Sequence, residues 1–250
     1  MTPELLLETL RREGNRLAQM PADALDAPVP AVPGWTLEHV VRHTGKVHRW
    51  VSAILDAGPS VDVPSVRVES LPRGADCLTE YRTELDALVE RLGDADPSTP
   101  AMSFVGPATV GWWMRRQAHE ATVHRFDAAD AVHAAGGPEP EPTNAESAAD
   151  GIDELTELQL VHRVKHEVMA PHVTGRTIHL HGTEVADAEW LLTIDNGRVT
   201  TERTHAKADV ALRGSAQDLL LIMCRRRPTS VVETFGDVSI VEGLLDVARF

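Results

Sequence analysis

Apolar residues recur along this chain at two different periods, and the change of period divides it. Through the first part the spacing is three and four, the signature of helices with one buried face. Thr2-Pro3-Glu4 supplies a cap, a proline at the first helical position and a first-turn acid, and Leu5, Leu6, Leu10 and Leu17 continue as a stripe to about residue 20. After a proline-rich connection (Pro21, Pro28, Pro30, Pro33), a second helix opens at Thr36 and buries Leu37, Val40, Val41, Val47, Val51 and Ile54. Residues 56–75, broken by Gly58-Pro59, Pro64 and Pro72, read as loop. A third helix runs from about Asp76 to Leu92 on Leu78, Tyr81, Leu85, Leu88 and Val89, and a turn-rich stretch leads to a fourth, about Val110 to Ala135. Four helices with long connections predict a bundle. A fifth, from about Asn144 to Met169, is expected to turn Ile152, Leu155, Leu158, Val161 and Val168 inward.

After Pro171 the period falls to two. Thr177-Ile178-His179-Leu180-His181 alternates, as do the runs around Trp190–Ile194 and Asp209–Leu212. Asn196-Gly197, set between two such runs, is a strong hairpin signal. Ser215 then caps a helix carrying Leu219, Leu220, Leu221 and Met223, and Ile240 to Phe250 reads as helix again. The expected fold class is therefore α+β, with a helical bundle over residues 1–170 and a small α+β domain over 171–250. The clearest break in composition is Gly136-Gly137-Pro138-Glu139-Pro140-Glu141-Pro142, which suits a surface loop and a domain connector equally. No internal repeat is present.

Composition narrows the function classes. The formal charge of −14 argues against a nucleic-acid or anionic-membrane surface, both of which attract basic patches. No apolar run is long enough to span a bilayer. Two cysteines, Cys77 and Cys224, make no disulfide framework and no CxxC spacing, and no signal-like segment opens the chain, so a reducing cytoplasm is expected. The Arg-rich, Lys-poor, acidic balance is that of a high-GC genome.

The candidate chemistry lies in the histidines. Glu120 and His124 are four apart on the fourth helix, which puts both on one face a turn apart. Trp113 shares that sector, and a buried carboxylate needs a cation, a metal or a hydrogen-bond partner. An exposed i,i+4 pair is the plain alternative. One more ligand from another helix would complete three protein donors with one position open, the pattern of catalytic zinc. On the second helix His39 and His43 are also four apart, a spacing that allows chelation by the pair alone. His39 projects toward the polar side, His43 lies at the edge of the apolar stripe and His48 within it, so periodicity does not choose between His43 and His48. His119 and His124 are five apart and diverge, which excludes a metalloprotease HExxH. His162 and His166 read as solvated, and Cys224 reads as facing the core.

Two stretches carry a resemblance. Pro33-Gly34-Trp35-Thr36-Leu37 through Val41-Arg42-His43 resembles the PGWT signature of the mycothiol-dependent maleylpyruvate isomerase family, within the DinB-like superfamily. Trp113-Met114-Arg115-Arg116-Gln117-Ala118-His119-Glu120 through His124-Arg125-Phe126-Asp127 is similar to its second conserved segment. The resemblance implies a DinB-like up-down bundle followed by a domain similar to sterol carrier proteins. It implies His43, Glu120 and His124 as ligands of Zn2+ or another divalent metal, and mycothiol, the actinobacterial thiol, as cosubstrate. It also implies a catalytic arginine, best matched by Arg226 in Arg225-Arg226-Arg227-Pro228. The chain departs from the family in having Thr44 after the first ligand and Ile222-Met223-Cys224 where a tryptophan-rich run is usual.

The implied chemistry is thiolate addition to a conjugated cis double bond, rotation about the resulting single bond and elimination, with a small electrophile as the partner. Retention of the thiol would instead make an S-transferase, including one of secondary metabolism. A non-catalytic small-molecule or lipid-binding protein is the alternative outside enzymology.

Overall fold

The structure, a computed structural model, describes residues 1–165, 167–195 and 197–248. The chain divides into two units, Met1–Glu141 and Pro142–Phe250. The division falls inside the proline-rich segment, ahead of the boundary expected at 170, and the predicted fifth helix goes with the second unit.

The first unit holds helices α1 (Pro3–Ala18), α2 (Leu37–Ala57), α3 (Asp76–Asp94) and α4 (Val110–Ala134), with a hairpin of β1 (Pro100–Ser103) and β2 (Gly106–Thr109) before α4. The hairpin is not foreshadowed by the sequence pattern; its two four-residue strands contain Pro100, Gly106 and Pro107 and show no clean alternation. Helix starts follow the caps read from sequence. Thr2 Oγ1 accepts from Leu5 N–H at 3.4 Å, and Thr36 caps α2. The stripes meet in one core that includes Leu10, Leu17, Leu37, Val41, Ile54, Tyr81, Leu88 and Trp113, while Leu5 points to solvent. Helices α1 and α4 pack together, α2 packs on α3 and α4, and α3 closes on α1.

Helix α4 is buried along nearly its whole length, and many of its buried side chains are polar: Arg116, Gln117, His119, Thr122, His124, Arg125, Asp127 and Asp130. Such a helix must satisfy its polar groups internally. Arg125 bonds through Nε to Glu13 Oε2 of α1 at 2.7 Å, with both side chains buried, and through Nη1 to the Glu141 carbonyl at 2.6 Å.

In the second unit, α5 (Ala145–Glu154) passes through a π-helical turn at Leu155–Gln159 into α6 (Leu160–Val164). A π turn inserts an extra residue and rotates every later side chain about the helix axis. That explains a correction: Leu160 and Val164 are buried, whereas Val161 is exposed and Val168, beyond the helix, is more so. The paired histidine of His162, His166, lies outside the described residues.

The sheet has the order β5-β4-β3-β6-β7, from β3 (Thr177–Gly182), β4 (Glu189–Asp195), β5 (Arg198–Arg203), β6 (Val210–Gly214) and β7 (Glu233–Gly236). Only β3 and β6 run parallel. Register stacks Ile178, Leu180, Trp190, Leu192, Val210 and Leu212 on one buried face. The expected hairpin is present as antiparallel β4 and β5 with Asp195 opposite Arg198, although Asn196 itself lies outside the described residues. Asp153 of α5 accepts from Trp190 Nε1 at 2.7 Å and from Arg203 Nε at 2.8 Å, which ties α5 to this sheet and explains its assignment to the second unit. Helices α7 (Ala216–Met223) and α8 (Ser239–Ala248) complete the unit, giving the expected α+β class.

Candidate metal centre

Helix α2 begins with a reciprocal cap. The backbone N–H of Thr36 donates to Nδ1 of His39 at 3.1 Å. His39 therefore serves the helix end and not a chelating pair with His43. The adjoining Trp35 ring lies tilted against His43 at 5.1 Å and stacks on His124 at 6.1 Å.

Between α2 and α4 three donors converge. His43 Nε2 lies 3.3 Å and His124 Nε2 3.2 Å from Glu120 Oε1, and all three donor atoms fall within 4.8 Å of one another. Metal–nitrogen and metal–oxygen bonds of about 2.0–2.1 Å imply donors roughly 3.3 Å apart in a tetrahedron. The set has the composition and spacing to hold one divalent cation with a position left open. His48, which periodicity could not separate from His43, is instead fully buried beside Tyr81, and burial pushes its ring down to about 4.

Two neighbours complete the arrangement. Asp127 Oδ2 lies 2.9 Å from His124 Nδ1, which places the ring proton there and leaves Nε2 free to ligate. Arg116 Nη2 donates to Glu120 Oε2 at 2.9 Å. Both residues lie in the segment that carries the family resemblance, which singles out neither as a site residue; each sits at helical spacing from a candidate, Asp127 three after His124 and Arg116 four before Glu120. The electrostatics reflect this packing. Burial works to raise the Glu120 carboxyl, but His124, His43 and Arg116 outweigh it and hold the group well below its ordinary range. Burial likewise works to lower His124, and Glu120 with Asp127 overcomes it, raising the ring to about 9.

His43 also borders an open cleft of about 360 Å³ lined by Lys46, Val47, Trp50, Val66, Arg67 and Val68. Its outer wall is the connection between α2 and α3, which has no regular structure beyond one short 3-10 turn at Val63–Ser65. Side chains of α2 fasten it: Arg42 Nε donates to the Leu71 carbonyl at 2.9 Å, Arg49 Nη1 to that of Glu69 at 3.1 Å, and Glu38 Oε1 accepts from Gly74 N–H at 2.9 Å. Gly45 makes room for Leu71, whose methyl would lie 2.3 Å from a Cβ there.

Arg226, the expected catalytic cation, belongs to the second unit. Helix α7 ends with Arg225 in the left-handed region (φ +63°), Arg225 N–H donating to Ile222 O at 2.8 Å and Arg226 N–H to Leu221 O at 2.6 Å. The Arg226 guanidinium donates to the Cys224 carbonyl at 2.7 Å, and Cys224 is buried as expected.

Among the described residues no helix is long and apolar enough to cross a membrane. No curated protein matches the chain. A crystal structure of the mycothiol-dependent maleylpyruvate isomerase is similar at 10% identity and TM-score 0.59, covering 94% of this chain and 93% of that one. A histidine-to-alanine mutant of that isomerase is similar at 9% identity and TM-score 0.57, with the same coverage. These likenesses give the fold. Residues 7–129 match the mycothiol maleylpyruvate isomerase N-terminal domain and residues 146–242 the C-terminal domain of the same family, so the chain belongs to the mycothiol-dependent maleylpyruvate isomerase family.

Proposed function

We propose that the chain is a metal- and thiol-dependent enzyme in which His43, Glu120 and His124 hold a divalent cation, with Zn2+ suited to the two-imidazole, one-carboxylate set. The observation that carries this reading is the convergence of the three donors, with Asp127 behind His124. A bound cation would supply a net positive centre that keeps a thiol in its thiolate form near neutral pH.

The chain's own residues supply the rest. Asp127 orients His124, Arg116 holds Glu120 ionised, and Trp35 packs against both imidazoles. Lys46 and Arg67 give the cleft beside His43 cations for a carboxylate, and Trp50, Val47 and Val66 give it apolar walls. The substrate class this fits is a small, unsaturated carboxylic acid that accepts a thiol, as in cis–trans isomerisation of maleylpyruvate; mycothiol is the thiol the family implies. Arg226 is proposed as a further partner for substrate charge. A reducing, cytoplasmic setting suits two buried cysteines that form no disulfide, and a thiol cosubstrate.

The test is elemental analysis of protein made without a histidine tag, for wild type and for Glu120→Ala and His124→Ala. One equivalent of metal, and with it the thiol-dependent turnover of a cis-enoate, should disappear in both variants while the helical circular dichroism survives. Unchanged metal content would overturn the site and favour a non-catalytic binding protein. Product analysis separates the two enzymatic outcomes: free thiol regenerated means isomerisation, and thiol retained on the product means S-transfer.

A further inference from the structure

Strand β3 carries His179 and His181 two residues apart, so both rings project from one face of the sheet. The register sets Glu189 of β4 directly opposite His181, on that same face. His205 lies just beyond the end of β5, where Thr204 N–H donates to the Glu189 carbonyl at 3.2 Å. Ile178, Leu180 and Trp190 occupy the other face and form the core.

The three imidazoles surround one carboxylate oxygen. Glu189 Oε2 lies 2.9 Å from His179 Nε2, 3.2 Å from His181 Nδ1 and 2.5 Å from His205 Nδ1. The ring centroids are 5.4–6.1 Å apart and the planes 79–88° to one another, so the rings do not stack and instead meet by their nitrogen edges. His179 is almost entirely buried, and its Nε2, despite its distance from Glu189, makes no aligned hydrogen bond. A buried imidazole nitrogen left this way is costly in an apolar setting. A cation among the four donors would satisfy it. All four donor atoms lie within 4.8 Å of one another.

We propose that His179, His181, Glu189 and His205 form a second metal site, for a late first-row divalent ion such as Zn2+, Co2+ or Ni2+. Three imidazoles disfavour Mg2+ and Ca2+, which take oxygen donors. Four protein ligands close the coordination sphere, so the site is structural, pinning the end of β5 to β3 and β4. It belongs wholly to the second unit and is independent of the His43–Glu120–His124 reading.

The test uses full-length, untagged Glu120→Ala/His124→Ala protein, stripped with a chelator and titrated with Co2+. One equivalent should bind with the intense visible absorption of tetrahedral Co2+ and raise the melting temperature. Adding His205→Ala, at an exposed position beyond the end of β5, should abolish both effects. A parallel measurement in the otherwise wild-type chain guards against misfolding of the double variant: His205→Ala and His181→Ala should each lower the total metal by one equivalent. Weak, unsaturable uptake, no uptake, or uptake indifferent to His205 and His181 would overturn the site.

Discussion

The Glu120 carboxylate accepts from a guanidinium on one oxygen and faces two imidazoles on the other, and this sharing makes the site sensitive to single atoms. Asp127 contributes through His124. Asp127→Asn keeps the shape but removes the charge that fixes the ring proton, and should weaken zinc affinity about 10–100-fold in a chelator-competition titration with little change in fold. Protonation provides a second measurement. His124 is raised from 6.5 to about 9, so in metal-free protein its contribution to stability is complete below pH 6.5 and lost as pH rises through about 9. Glu120 is lowered from 4.5, so its contribution is present above pH 4.5 and lost on further acidification. Thermal melts of chelator-treated protein should therefore decline between pH 6.5 and 9. Added zinc should reverse that trend, because it replaces the His124 proton and binds more tightly as that proton becomes easier to remove.

At the level of elements, α4 organises the first unit by burying polar groups against its neighbours. Its ion pair with α1 is the case to measure. Glu13→Ala leaves the Arg125 guanidinium buried without its carboxylate and should cost about 3–5 kcal/mol in urea unfolding. Glu13→Leu with Arg125→Met should recover most of that loss, since an apolar pair of similar volume faces no desolvation cost. How far such elements can be read from sequence depends on what their neighbours demand. The caps at Thr2, Thr36 and Ser215 are local and legible. The π turn is not, because a 3.6-residue projection carries Val161 inward until one extra residue is inserted. Strand β7 escapes notice because all four of its residues are exposed and leave no alternation. Periodicity identifies α5 as a helix but cannot say which unit it packs in; Asp153 decides that by its bonds to Trp190 and Arg203. In the site, Glu120 and His124 are legible from spacing, while His43 needs the family resemblance because His48 lies on the same stripe. The Glu189–His205 half of the second cluster depends on strand register, which alternation alone does not specify.

For the whole molecule the decisive number is its charge. At −14 the chain would repel the proposed carboxylate substrate at long range, and Lys46 and Arg67 are the cations that line the cleft against that field. Lys46→Ala/Arg67→Ala should lower kcat/KM for an anionic substrate about tenfold at low ionic strength. The deficit should shrink as salt shortens the screening length from about 10 Å at 0.1 M to about 3 Å at 1 M. A deficit independent of salt would mean that the two cations act by contact and not by steering.

The connection between α2 and α3 has a consequence for how such a protein diversifies. It supplies Val66, Arg67 and Val68 to the cleft but none of the three converging donors. It is held by Val63 in the core, by the bonds at Glu69, Leu71 and Gly74, and by Leu71 in the notch at Gly45. Anchoring and recognition thus reside in different residues of one segment. Residues 64–68 can vary in chemistry while Val63 in the core and Glu69, Leu71 and Gly74 against α2 keep the segment in place. Grafting that stretch between relatives should move substrate preference and leave the ligand set alone, which makes it the natural place for both drift and directed evolution to act.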